Sequence, residues 1–223
     1  MKVSLVSYSQ PSEELKHEFQ SSPNVQDLVA YCARVSNPTN QTNRETSHKL
    51  LQYLIKHQHW SPFEMVSACL KIVTTRDIAR QILRHRSFSF QEFSQRYADP
   101  TQEFSFVPRQ TRLQDLTNRQ NSVVSYDEEL QREWYKKQEE IVVQAQSAYR
   151  WAIDHGIAKE QARVVLPEGL TESVLYVSGT IRSWIHYIQV RGAHGTQLEH
   201  VEIARTCAQA ISSIFPSVYI LTQ

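Results

Sequence analysis

Between residues 80 and 97 the chain carries Arg80, Gln81, Arg84, His85, Arg86, Gln91, Glu92, Ser94, Gln95, Arg96 and Tyr97. These guanidinium, imidazole, amide and hydroxyl groups are dense enough to bind an anion together with its organic body. On a helix Arg80 and Arg84 stand one turn apart, with Gln81 and His85 in the adjoining column, while Ile78, Ile82 and Leu83 pack the other side. Termination near Arg86 puts them at the mouth of a loop whose polar side chains can hydrogen-bond a phosphate, a ribose and a base edge. The same residues fit a solvated basic helix end meeting its own dipole. With Phe88, Phe90, Phe93 and Tyr97 interleaved, they also fit a single-strand nucleic-acid platform. Elsewhere, His57-x-His59 in an extended segment can chelate a metal, although no third ligand adjoins it. Glu160 and Arg163 lie about one helical turn apart, close enough to pair, and Arg182 and His186 are spaced i,i+4 with Arg191 ending the same helix. Each pair alone fits an ordinary polar face.

The elements that position these groups follow from periodicity. Residues 2–8 alternate like a strand, and Val25, Leu28, Val29 and Cys32 stripe a helix over 24–34 that stops near Asn37-Pro38. A second helix covers 44–57, a strand covers 63–73, and Thr74 or Thr75 caps a helix running to about Arg84. Residues 87–122 lose periodicity and read as a long functional loop. The longest helix spans 123–154, with Ser125 and Glu128 as a capping box and Gly156 as its C-terminal stop. At about 45 Å it is longer than a monomer of this size needs, which points to an oligomer. A short helix at 158–165, a strand at 174–177, a helix at 180–191 closed by Gly192 and a final helix at 196–214 with a Thr196/Glu199 capping box complete one α+β domain.

Composition removes several classes of chemistry. Lys+Arg 24 against Asp+Glu 23 creates no bulk field for DNA or an anionic membrane. The five glycines form neither a dinucleotide turn nor a Walker loop, so phosphates must be held by side chains. Cys32, Cys69 and Cys207 are odd in number and unpaired in pattern, which fits a reducing cytoplasm and gives no zinc ribbon. The first residues do not form a secretory core, and no apolar run approaches a membrane span. There is no G-x-S-x-G elbow, and the cysteines show no basic neighbour pattern that suggests thiolate activation, apart from Arg34 near Cys32 and Arg205 near Cys207. Any reaction here relies on a cofactor.

Arg84-His85-Arg86, then Ser94 and Arg96-Tyr97 after seven intervening residues, resembles the defining motif of the flavin-dependent thymidylate synthases, the ThyX family. Ala33-Arg34-Val35-Ser36, His59-Trp60-Ser61-Pro62-Phe63-Glu64 and Glu160-Gln161-Ala162-Arg163-Val164-Val165-Leu166-Pro167 resemble further family segments. Arg182-Ser183-Trp184, Arg191 and Gln197-x-Glu199 follow in register, so the likeness runs over about residues 30–205. It implies a single domain over 1–223 with an α+β fold, a small antiparallel or mixed sheet and several long helices. It also implies a homotetramer with one FAD at each interfacial active site and dUMP, methylenetetrahydrofolate and NADPH as substrates, without nucleic-acid, membrane or metal partners. In this family reduced flavin, not an enzymic cysteine, delivers the activating hydride.

By motif position the resemblance assigns Gln81, Arg84, Glu92, Ser94, Gln95, Arg96, Arg163 and Arg191 to dUMP, with Arg191 polarising the uracil. It assigns Ser36, His59, Ser61, Glu64, His85, Arg86, Gln91, Arg182 and His186 to the FAD pocket. His59 lies near flavin and folate, and Glu64 supports the pocket. Arg191, Ser94 and His59 carry the catalytic roles, Ser94 as a hydroxyl that orients the substrate. Guanidinium forks suit phosphate and uracil oxygens, where developing negative charge needs fixed donors. Six positions depart from the family pattern: Gln91 for Asn, Gln95 for Gly, His186 for Asn, Gly195 for His, and Leu198 with His200 in a Trp-Glu-Ile context. These departures bear on the FAD contacts and on which pyrimidine nucleotide is accepted, including a hydroxymethylated product.

Overall fold

A computed structural model describes residues 1–19 and 22–218. In chain order the elements are β1 (Lys2–Tyr8), α1 (Glu13–Glu18), α2 (Val25–Ala33), α3 (Ser47–Lys56), β2 (Ser67–Thr75) and α4 (Arg76–Ile82). Then come β3 (Ser89–Glu92), α5 (Pro100–Glu103), β4 (Arg112–Gln114), β5 (Ser122–Val124), α6 (Glu128–Asp154) and α7 (Lys159–Ala162). The chain ends with β6 (Glu172–Thr180), α8 (Ile181–Gly192) and α9 (Leu198–Ser212). The fold is α+β, as expected from the pattern.

The main sheet has the order β1-β2-β6-β3, with every neighbouring pair antiparallel, and β4 and β5 form a separate hairpin. β2 and β6 pair along their whole length, from Ser67 opposite Thr180 to Thr75 opposite Glu172. Each runs straight into a helix, β2 into α4 and β6 into α8. Because the strands are antiparallel, these helices leave from opposite ends of the sheet. Strand alternation buries Ala68, Leu70, Ile72, Leu175 and Val177 on one face. Against it pack Ile78 and Ile82 of α4, Ile181, Trp184 and Ile188 of α8, and Ile203, Cys207 and Ile211 of α9. Phe88 fills the space a side chain at Gly179 would need, so only glycine fits there.

The departures from the periodic reading have local causes. The 63–73 strand begins at Ser67, because Pro62 lies in a 3-10 turn over Ser61–Glu64 that sends Phe63 into the core. Asp127, not Ser125, caps α6 by accepting from the Glu129 and Leu130 N–H groups, both at 3.0 Å, and Val123 lies in β5. α6 ends as the sequence indicates, with Gly156 at φ +75 and the Ile157 N–H returning to the Ala152 carbonyl at 2.9 Å. α9 begins at Leu198 without a capping box, since the Glu199 carboxylate pairs with Arg112 and Arg109 instead. The aperiodic stretch 87–122 contains β3, α5 and β4, the first held by pairing with β6. Ser12 caps α1, a helix that no apolar stripe in the sequence announces.

Candidate active site

α4 buries Ile78, Ala79 and Ile82, which turns Arg76 and Arg80 to its opposite face. There they meet Glu92, brought to the core side of β3 by the same alternation that packs Phe90. Glu92 accepts from Arg80 at 3.0 Å through both oxygens, from Arg76 at 3.4 Å and from the Ser173 hydroxyl at 3.0 Å. Burial pushes the Arg76 guanidinium below its ordinary pKa, and the Glu92 charge opposes that. These groups form one wall of a cleft of about 720 Å³, completed by Ser94, Gln95, Glu160, Arg163 and Glu168. Glu160 pairs with Arg96 at 3.2 Å and not with Arg163, its neighbour in sequence. Arg163 gives its Nε–H to the Glu160 carbonyl oxygen at 3.3 Å and has no carboxylate partner among the described residues. Gln95 is buried, and its Nε2 has no hydrogen-bond partner among the described residues.

A second group surrounds α8. α4 stops at Ile82, so Arg84 and His85 leave the helix and do not extend the columns of Arg80 and Gln81. The turn instead delivers His85 to α8, where Arg191 donates Nε–H to His85 Nε2 at 2.8 Å and Tyr187 meets the ring edge-on at 5.0 Å. Burial, reinforced by Arg191, His186 and Arg84, lowers the His85 pKa from 6.5 to about 4. Gln81 bonds Gln197 at 2.8 Å and His200 at 3.1 Å.

The third group lines a pocket of about 460 Å³: Trp60, Glu64, Ser87, Thr180, Arg182, Ser183, His186 and Gln189. Arg182 is ion-paired with Glu64. A guanidinium for a diphosphate, an indole for a planar ring and hydroxyl and amide groups for ring edges make this donor set one that FAD fits.

The chain therefore brings Glu92, Ser94, Gln95 and Arg163 into one cleft, with Arg96 bound to its rim, while Gln81 and Arg191 lie in the α8–α9 group. Glu64, Arg182 and His186 share the smaller pocket. Ser36, His59, Ser61, Arg84, Arg86 and Gln91 are exposed and line neither space. His57 and His59 are not in an extended segment: Gln58 between them has φ +58, and Tyr53 packs on His57 at 4.2 Å. Among the described residues no group of three or more metal-ligating side chains occurs. Phe88 is buried, and Phe93 packs on Phe104 at 4.6 Å, so these aromatics are packing groups and not a stacking surface. Arg76 and Glu168 belong to no motif. The sign that finds Arg76 is its i,i+4 spacing to Arg80, opposite the Ile78/Ile82 stripe.

The family model described as thymidylate synthase complementing protein matches residues 19–217. A probable flavin-dependent thymidylate synthase of Paramecium bursaria Chlorella virus 1 is 49% identical over 193 residues, covering 86% of this chain and 88% of that one. The flavin-dependent thymidylate synthase of Synechocystis sp. is 47% identical over 191 residues, 86% of each chain. A crystal structure of a UMP/dUMP methylase PolB from Streptomyces cacaoi bound with 5-Br dUMP shares the fold, with a TM-score of 0.75 over 99% of this chain and 93% of that chain at 24% identity. The chain belongs to the thymidylate synthase complementing protein family, the flavin-dependent thymidylate synthases.

Proposed function

We propose that this chain, as one catalytic domain over residues 1–223, converts dUMP to dTMP, with methylenetetrahydrofolate as carbon donor and NADPH as reductant of its FAD. The observation that carries the reading is Arg163, a guanidinium without a carboxylate partner among the described residues, in a cleft that also offers the Ser94 hydroxyl and the Gln95 amide. Arg163 binds the nucleotide phosphate as a two-pronged donor, and Glu92 holds Arg76 and Arg80 in place beside it. Ser94 orients the substrate. Arg191, its Nε committed to His85, is left with its terminal nitrogens to stabilise negative charge on the uracil oxygens.

Bound and reduced, FAD supplies the hydride that activates the uracil ring, so no cysteine is required. Arg182 and His186 hold it in the smaller pocket, Trp60 gives a ring face, and Glu64 fixes Arg182. Ser36, His59, Ser61, His85, Arg86 and Gln91 complete the cofactor contacts, His59 toward folate. The substrate groups of one protomer fall on separate faces, which a homotetramer with interfacial active sites would reunite. α6 supports that assembly: it leaves Trp134, Tyr135, Ile141, Val143 and Trp151 each at least 43% exposed, an apolar load suited to a partner helix. No helix among the described residues is long and apolar enough to cross a membrane. The three cysteines are free, which suits work in the cytoplasm.

Anaerobic incubation with FAD, NADPH, dUMP and methylenetetrahydrofolate, followed by identification of the nucleotide, tests the proposal. Formation of dTMP by a yellow protein is expected. A colourless protein that takes up no FAD on titration, or a loaded one that leaves dUMP unchanged, overturns it.

A further inference from the structure

His200 stands where the family resemblance expects an apolar residue, and it is fully buried. A buried imidazole needs partners for both ring nitrogens. It has them: Nδ1 lies 3.1 Å from Gln81 Oε1, and Nε2 lies 3.1 Å from the Tyr187 hydroxyl. The direction of these bonds is decided at a distance. Glu199 is held as a carboxylate by Arg112 and Arg109, which outweigh the burial that opposes its charge. An anion only accepts, so Gln197 turns its Nε2 to Glu199 at 3.0 Å. Its Oε1 is then left to accept from Gln81 Nε2 at 2.8 Å. Gln81 therefore shows its oxygen to His200, which must carry its proton on Nδ1 and accept from Tyr187 at Nε2. Burial lowers the His200 pKa to about 3, so the ring is neutral and carries a single N–H.

We propose that His200 is a positioning residue for the nucleotide. The directed chain Tyr187–His200–Gln81–Gln197–Glu199 locks the Gln81 amide in one orientation and presents its second N–H to an oxygen of dUMP. That N–H has no partner among the described residues. The inference rests on the thymidylate synthase reading for the contact between Gln81 and dUMP. An apolar side chain at position 200 leaves the Gln81 amide held by Gln197 alone, and its second N–H can then swing about that single bond.

Two variants of the FAD-loaded protein separate the arms of the chain, because an asparagine amide reaches the place of Nδ1 and a glutamine amide the place of Nε2. With H200N the donor to Gln81 survives, and dUMP affinity stays within about threefold of wild type. With H200Q that donor is lost, and the dissociation constant and KM for dUMP rise about tenfold, the scale of one net hydrogen bond, while kcat is spared. FAD absorbance and thermal stability, measured on both, report any merely structural loss. Equal dUMP affinities in the two variants overturn the positioning role, as does a nitrogen-15 imidazole spectrum that puts the His200 proton on Nε2. Wild-type protein that takes up FAD but binds no dUMP overturns instead the functional reading on which the inference rests.

Discussion

Arg191 donates its Nε–H to Nε2 of His85 at 2.8 Å, joining the end of α8 to the turn after α4 across 106 positions of sequence. The bond makes Nε2 an acceptor, so the neutral ring carries its proton on Nδ1. With its pKa lowered to about 4, chiefly by burial and then by Arg191, His85 stays neutral at physiological pH. The pair is thus a guanidinium held by an imidazole, not two repelling cations. It aims the remaining Arg191 donors without cancelling their charge.

Replacing Arg191 with alanine should lower dUMP turnover by about a hundredfold or more, the usual cost of losing a donor to developing oxyanion charge. The proposed oligomer should survive, since the exposed apolar residues of α6, and not Arg191, are the surface assigned to it. Turnover assays paired with sedimentation check both halves. Methylation at the wild-type rate would refute the role given to Arg191.

What the sequence disclosed depends on how far each interaction reaches. β2 and β6 were legible because alternation is local, and the inner face of α4 because Ile78 and Ile82 recur at helical spacing. The Arg84-His85-Arg86 motif located the turn, but helical projection misplaced it, since nothing local announces that α4 ends at Ile82. The partner of Glu160 was equally hidden. Proximity in sequence favours Arg163, whereas the fold supplies Arg96 from 64 positions away. β3 has too few residues to show a period and exists through its pairing with β6.

Glu92 faces Arg76, whose side chain is 10% exposed, and Arg80. Glu92→Gln leaves two guanidinium groups poorly matched, one of them deeply desolvated, and should cost roughly 2–4 kcal/mol of stability. Removing a negative charge from the cleft would by Coulomb attraction alone tighten phosphate binding. If Glu92 instead orients the arginines, dUMP binding weakens. Thermal unfolding and equilibrium dialysis with dUMP distinguish these outcomes, and tighter binding by the variant would contradict the orienting role.

A hydride-first route assigns no work to a thiol. Burial raises the pKa of Cys32 and Cys69, and it raises that of fully buried Cys207 further. None is primed as a thiolate at neutral pH. A variant with Cys32→Ser, Cys69→Ser and Cys207→Ala should keep dTMP formation, with stability reduced mainly by the small cavity at Cys207. Folded, FAD-loaded protein of this kind that makes no dTMP would restore an enzymic nucleophile to the mechanism.

Acid should destabilise the fold through two imidazoles, the fully buried His200 and the half-buried His85. Folded-state pKa values of about 4 for His85 and about 3 for His200 lie below the ordinary 6.5, so each is kept neutral in the native state. Between pH 6.5 and these values the unfolded chain binds more protons than the folded one, and stability rises with pH. Their contribution is therefore fully present above about pH 6.5 and drains away as pH falls toward 4 and then 3. The depressed carboxyl of Glu199 acts in the same direction, but only below its ordinary 4.5. His200→Asn removes one of the two titrations. Its unfolding free energy should fall less steeply between pH 6 and 4.5, by about 1.4 kcal/mol per pH unit for each proton removed. Denaturant titrations across that range measure the slopes directly. Parallel slopes for wild type and variant would mean that His200 is already protonated in the folded protein, which its complete burial opposes.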